Sequence, residues 1–138
     1  MLQAVAKKIL GSRHIREAKK LQPLVDQINE YYEEYASLSE EQLKGNTDEF
    51  RARIGAATEA VESEMTVLRE EKRHSEDPER RQELQEQLSD LDARLVETTA
   101  DTLEEILPEA FATVKEACRR LMGTEVVVTG QKQVWDMI

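Results

Sequence analysis

The sequence predicts a mainly α-helical chain: amphipathic helical segments, a projecting antiparallel coiled-coil-like helical hairpin, and a small β-hairpin near the C-terminal end. Three observations carry that expectation. Charged residues make up 35% of the 138 and aromatics 4%, a balance suited to long solvated helices. Apolar residues recur at spacings of three and four through most of the chain. Gly and Pro number 5 and 3, too few for a barrel or sandwich built on many turns. The one cysteine, Cys118, excludes an internal disulfide framework and a four-cysteine zinc site.

Leu2, Val5, Ala6, Ile9 and Leu10 form a short amphipathic helix, with Gly11 placed to end it and Ser12 to cap the next. From Ile15 the stripe Ala18, Leu21, Val25, Ile28, Tyr32, Tyr35 describes one helix of about six turns. Pro23 lies inside it and is expected to kink it without breaking it, since the stripe keeps its phase. Tyr31, Tyr32 and Tyr35 read as packing surface. Ser39 and Gln42 match a capping box with Leu38 as staple. Gly45 is expected to close that turn and Thr47 to cap a further helix, in which Phe50 and Ile54 face inward.

Residues 58–99 change character, with 13 acidic and six basic residues and no aromatic. Val61, Met65 and Leu68 form one narrow seam; Leu84, Leu88, Leu91 and Leu95 form another. Asp77 can cap and Pro78 can take the first helical position. Two seams joined by a polar tip describe the antiparallel hairpin. The basic pairs Lys72-Arg73 and Arg80-Arg81 near the tip read as solvated surface rather than a nucleic-acid patch, since their acidic surroundings would repel phosphates. Pro108 is expected to open a new helix whose inward stripe is Phe111, Val114, Cys118 and Leu121, ending at Gly123. Cys118 on that stripe reads as a buried apolar group. The β-branched run Glu125–Thr129 and the segment Lys132–Trp135 then pair across a turn at Gly130-Gln131.

Formal charge is −10, from 19 basic and 29 acidic residues. Residues 1–22 nevertheless carry Lys7, Lys8, Arg13, Arg16, Lys19 and Lys20 against Glu17. Such a basic arm on an acidic body suits anionic lipid headgroups or an acidic protein surface, and a solvated helix face would explain the same charges. No apolar run is long enough to span a bilayer, and Lys7 and Lys8 interrupt what would be the core of an export signal. A cytoplasmic location is the expectation. His14 and His74 lack metal-ligand spacing, the glycines are isolated, and adjacent acids such as Glu104-Glu105 diverge on a helix, so no catalytic or metal site is expected.

Three stretches together resemble one family. Ile9-Leu10-Gly11-Ser12-Arg13 and the basic helix ending at Ile28-Asn29 are similar to the amino terminus of SecA, the ATP-driven motor of bacterial protein export. Leu38-Ser39-Glu40-Glu41-Gln42-Leu43-Lys44-Gly45-Asn46-Thr47-Asp48-Glu49-Phe50-Arg51-Ala52-Arg53-Ile54 resembles that family's most recognisable early stretch. Leu107-Pro108-Glu109-Ala110-Phe111-Ala112-Thr113-Val114-Lys115-Glu116-Ala117 resembles the segment before its first nucleotide-binding domain. The hairpin of residues 58–99 departs from the usual family pattern, as does the Glu125–Trp135 hairpin.

The resemblance implies a docking and regulatory front end of a motor that moves preproteins through the SecYEG channel. ATP and Mg belong to the parent motor, whose phosphate loop would lie beyond Ile138, and Met137 would at most border the adenine pocket. Lys7, Lys8, Arg13, Arg16, Lys19 and Lys20 would contact anionic lipid and the channel, giving peripheral association with the inner face of the cell membrane. A homodimer stays open as an assembly. The expected organisation is 1–57 for the amphipathic and family-like helices, 58–99 for the hairpin, and 100–138 leading towards a nucleotide-binding domain. The alternative is a stand-alone helical-hairpin adaptor or oligomerisation module.

Overall fold

Local signals at each terminus account for where the helices begin and end. The computed structural model describes residues 13–136 and contains α1 (Arg13–Tyr35), α2 (Glu40–His74), α3 (Pro78–Leu121), β1 (Glu125–Val128) and β2 (Gln131–Val134). The capping box at the head of α2 forms as expected. The Gln42 amide donates to Ser39 Oγ at 3.1 Å, and the Ser39 amide donates to Gln42 Oε1 at 2.8 Å. At the head of α3 the Glu79 amide donates to Asp77 Oδ1 at 3.0 Å, with Pro78 in the first helical position, where its missing N–H leaves no bond unmade. The expected helix over residues 2–10 lies outside the described residues.

Two expected helix breaks are absent. α2 passes through Gly45 and Thr47, and α3 passes through Pro108. Glycine ends a helix by adopting a left-handed conformation, and Gly45 does not adopt one. Continuing the helix keeps Leu43, Ile54, Thr58, Val61 and Met65 in one helical phase, which outweighs the weak propensity at Gly45. Pro108 lacks the amide that would bond the carbonyl of Glu104, yet it is buried, and the helix runs on to place Ala112 and Glu116 in the interior. α1 likewise runs unbroken past Pro23.

The chain divides into two compact units, one comprising Met1–Leu43 with Pro108–Ile138, the other Lys44–Leu107. The second is the antiparallel helical hairpin. Val61, Met65, Leu88 and Leu91 form its buried cluster, with Leu68 and Leu95 packed against it, and Leu84 is fully buried. Both expected seams therefore face inward. Thr58 and Thr102 are buried as well, each hydroxyl donating to a carbonyl one turn back, Ile54 at 3.1 Å and Thr98 at 2.8 Å. Arg80 ties the helices near the tip through Glu71 at 2.6 Å.

In the other unit, α3 ends at Leu121 and Gly123, with φ of 77°, turns the chain into the β-hairpin. The Gly123 amide donates to the Trp135 carbonyl at 3.0 Å and the Trp135 amide to the Thr124 carbonyl at 2.9 Å, extending the ladder back to the helix end. β1 and β2 pair antiparallel, with Glu125 opposite Val134 and Val128 opposite Gln131. The turn therefore falls on Thr129-Gly130, one residue before the expected Gly130-Gln131. Both loop residues have positive φ, 50° and 81°, as a two-residue hairpin loop matched to strand twist requires.

Candidate functional site

The basic arm enters the described residues at α1. Arg16, Lys19 and Lys20 are all exposed and stand at i, i+3 and i+4, so they share one side of the helix. Lys20 approaches Glu17 at 3.5 Å with both side chains mostly in solvent, a pairing that water screens almost completely. Ile15, Leu21 and Val25 on the same helix are also exposed, so the stripe expected to face inward is open over its first half. Arg13 begins α1, and its side chain lies outside the description. Lys7, Lys8 and Met137 lie outside the described residues altogether.

Further along α1 the structure brings together parts of all three family-like stretches. Asn29 Oδ1 accepts from Lys115 Nζ at 2.7 Å, and the same ammonium sits 4.1 Å from the centre of the Tyr32 ring. An ammonium so placed gains both a hydrogen bond and the attraction of the ring face. One turn on, Arg120 reaches across to the end of α1 and donates to the carbonyls of Tyr35 at 3.1 Å and Leu38 at 2.7 Å. Tyr35 is the last residue of α1, and Leu38 lies in the turn that follows it. Arg120 thus joins α1, the turn before α2, and α3 within one unit.

Glu116 anchors that arrangement. Its side chain is fully buried, and it accepts from Arg119 at 2.7 and 2.8 Å and from Arg120 at 2.7 Å. The Arg119 hydrogen bonds are the largest influence on its acidity. Burial opposes them, Arg120 adds to them, and the carboxyl is held down at about 2 instead of 4.5. Glu116 is therefore a buried anion with two guanidiniums, a structural clamp. Its acid-to-base spacing is visible in the sequence, but i, i+3 and i, i+4 pairs are common on solvated helices, and only packing reveals that this one is buried.

The stripe Phe111, Val114, Cys118, Leu121 does not face inward. Phe111, Val114 and Leu121 are exposed and Cys118 is half-buried, while Ala112 and Glu116 take the interior positions. In this rotation of α3, Lys115 reaches Asn29, Arg120 reaches the carbonyls of Tyr35 and Leu38, and Glu116 is buried against Arg119 and Arg120. Among the described residues no group of three His, Cys, Asp or Glu side chains is placed to hold a metal ion, and the glycines at 45, 55, 123 and 130 are isolated. No described helix is long and apolar enough to cross a membrane.

This unit thus combines a buried ion-pair clamp with an exposed basic stretch on α1. The family described as SecA DEAD-like domain matches residues 6–133. The chain is 39% identical over 132 residues to the protein translocase subunit SecA of Chloroherpeton thalassium, and 39% identical over 132 residues to that of Prosthecochloris aestuarii. Each match covers 95% of this chain and 13% of the relative. The Chlorobaculum tepidum subunit is 39% identical over 143 residues, covering all of this chain and 13% of its own length. The chain belongs to the SecA family. It spans about 13% of the length of these relatives, and the family match runs through residues 58–99. No solved structure matches the chain.

Proposed function

We propose that this segment is the N-terminal docking and regulatory element of an ATP-driven protein-export motor. In that role it contacts anionic membrane lipid and the SecYEG channel at the inner face of the cell membrane, while the parent motor moves preproteins with ATP and Mg held by other parts of its length. The observation that carries this reading is the exposed trio Arg16, Lys19 and Lys20 on a helix that also exposes Ile15, Leu21 and Val25. A cationic side and an apolar side on one helix suit the boundary between headgroups and acyl chains. Family membership supplies the context. Lys7, Lys8 and Arg13 would extend the same cationic run, and Met137 would border the adenine pocket.

The clamp supports a positioning role. Arg120, Lys115 and Glu116 hold the C-terminal half of α1 on α3, so the basic half projects from an anchored support. Flotation with vesicles of phosphatidylglycerol and of phosphatidylcholine tests the reading. Near an anionic surface each cation contributes about 1 kcal/mol. Replacing Arg16, Lys19 and Lys20 together by Gln should therefore lower binding to the anionic vesicles by about a hundredfold. Equal binding by the triple variant, or equal binding to both lipids, overturns it.

A further inference from the structure

The hairpin unit carries a cationic hollow that docking through α1 does not use. On α2, Arg69, Lys72 and Arg73 stand at i, i+3 and i+4 and share a face. Arg81 stands on α3. Together with Gln85, Leu88 and Asp92 they line an open hollow of about 380 Å³. Three acids on the facing stretches of α2 and α3 already have cationic partners. Glu71 and Glu83 both pair with Arg80, at 2.6 and 2.9 Å, and Glu70 pairs with Arg73 at 2.9 Å. Lys72 donates to Gln85 across the hairpin. Arg69 and Arg81 have no ion-pair partner among the described residues.

Setting Glu70 and Asp92 against these four cations leaves two positive charges in excess, in a chain of net charge −10. Like charges at i, i+4, as at Arg69 and Arg73, destabilise a helix. Arg81 adds a third guanidinium from the opposite helix. A merely solvated face would gain by mixing the signs. Guanidiniums present forked donors that match the oxygens of phosphate, and an excess of two charges corresponds to a dianion better than to one carboxylate. The small volume and the acidic remainder of the chain disfavour a nucleic-acid strand.

We propose that this hollow binds a phosphate dianion, presented by a soluble polyphosphate or by a phosphomonoester lipid headgroup. Calorimetric titration of the chain with pyrophosphate tests the soluble source. Flotation on vesicles of phosphatidic acid against phosphatidylglycerol, matched for surface charge, tests the lipid. For a soluble source, saturable pyrophosphate binding should weaken about tenfold in Arg81→Gln and stay unchanged in Arg51→Gln, a control cation paired with Asp48. For a lipid source, pyrophosphate gives no saturable heat, and a preference for phosphatidic acid is lost in Arg81→Gln. Arg81 is exposed, so helical circular dichroism should not change in the variant. Absence of both signals overturns the proposal, as does either signal surviving Arg69→Gln with Arg81→Gln. Arg81-dependent binding of a polyglutamate peptide, without phosphate binding, overturns it too.

Discussion

Glu116 concentrates more of the fold's specificity than any other single side chain described. Its folded-state carboxyl titrates at about 2, below its ordinary 4.5, so it adds stability that is fully present above the ordinary value and is lost as pH falls towards 2. Glu116→Gln should cost about 2 kcal/mol at pH 7, because the ion pairs with two guanidiniums are lost and the amide nitrogen cannot accept where a carboxylate oxygen did. The deficit should shrink at pH 3. Urea denaturation of both proteins at the two pH values measures this, and an equal deficit at both would show that the charge is not what matters. Thr129 is a second informative residue. A β-branched side chain at φ of 50° is strained. Asn accepts that conformation readily, so Thr129→Asn should raise stability by about 0.5–1 kcal/mol in the same assay. The sequence marks a hairpin loop here, but the assignment of its two residues depends on the pairing register, which cross-strand packing decides.

Among the elements, α2 and α3 show how far local rules reach. The capping box at Ser39 and Gln42, the Asp77-Pro78 start, and both hairpin seams were legible, because each depends on residues within a turn or two. The stops expected at Gly45 and Pro108 failed because propensity costs of about 1 and 3 kcal/mol can be offset by packing along a long helix. Both weak positions fall within two residues of a division between the units. Nothing within 4 Å would meet a Cβ at Gly45, and its φ is not left-handed. Gly45→Ala should therefore raise stability by about 0.5–1 kcal/mol, read as a higher midpoint in thermal unfolding. A lower midpoint would mean that Gly45 is required for something other than helix stability.

At the scale of the whole molecule, charge and unburied apolar surface point the same way. The unit containing α1 and the C-terminal part of α3 leaves Phe111, Val114, Leu121, Met122, Val127 and Val134 exposed, an apolar surface well suited to contact with other protein. The relatives are several times longer than this chain, which is in keeping with such contacts. The cations of α1 lie in a chain whose net charge is −10, so the proposed attraction to anionic vesicles would be local and readily screened. Raising salt from about 0.05 to 0.5 M should reduce binding steeply as the Debye length contracts from roughly 14 to 4 Å. Binding that resists salt would place the affinity in the apolar side of α1 instead.

Helix content, the caps at Ser39 and Asp77, the two hairpins and the family likeness were determined by the sequence alone, since each rests on neighbours in the chain or on a run of matching residues. The rotation of α3 was not. A stripe of Phe111, Val114 and Leu121 and a stripe of Ala112 and Glu116 are both compatible with a helix. The choice between them follows from where Asn29, Tyr32 and the carbonyls of Tyr35 and Leu38 stand in space. A buried ion pair forms only where several distant groups can satisfy it at once, and that is a property of the tertiary structure.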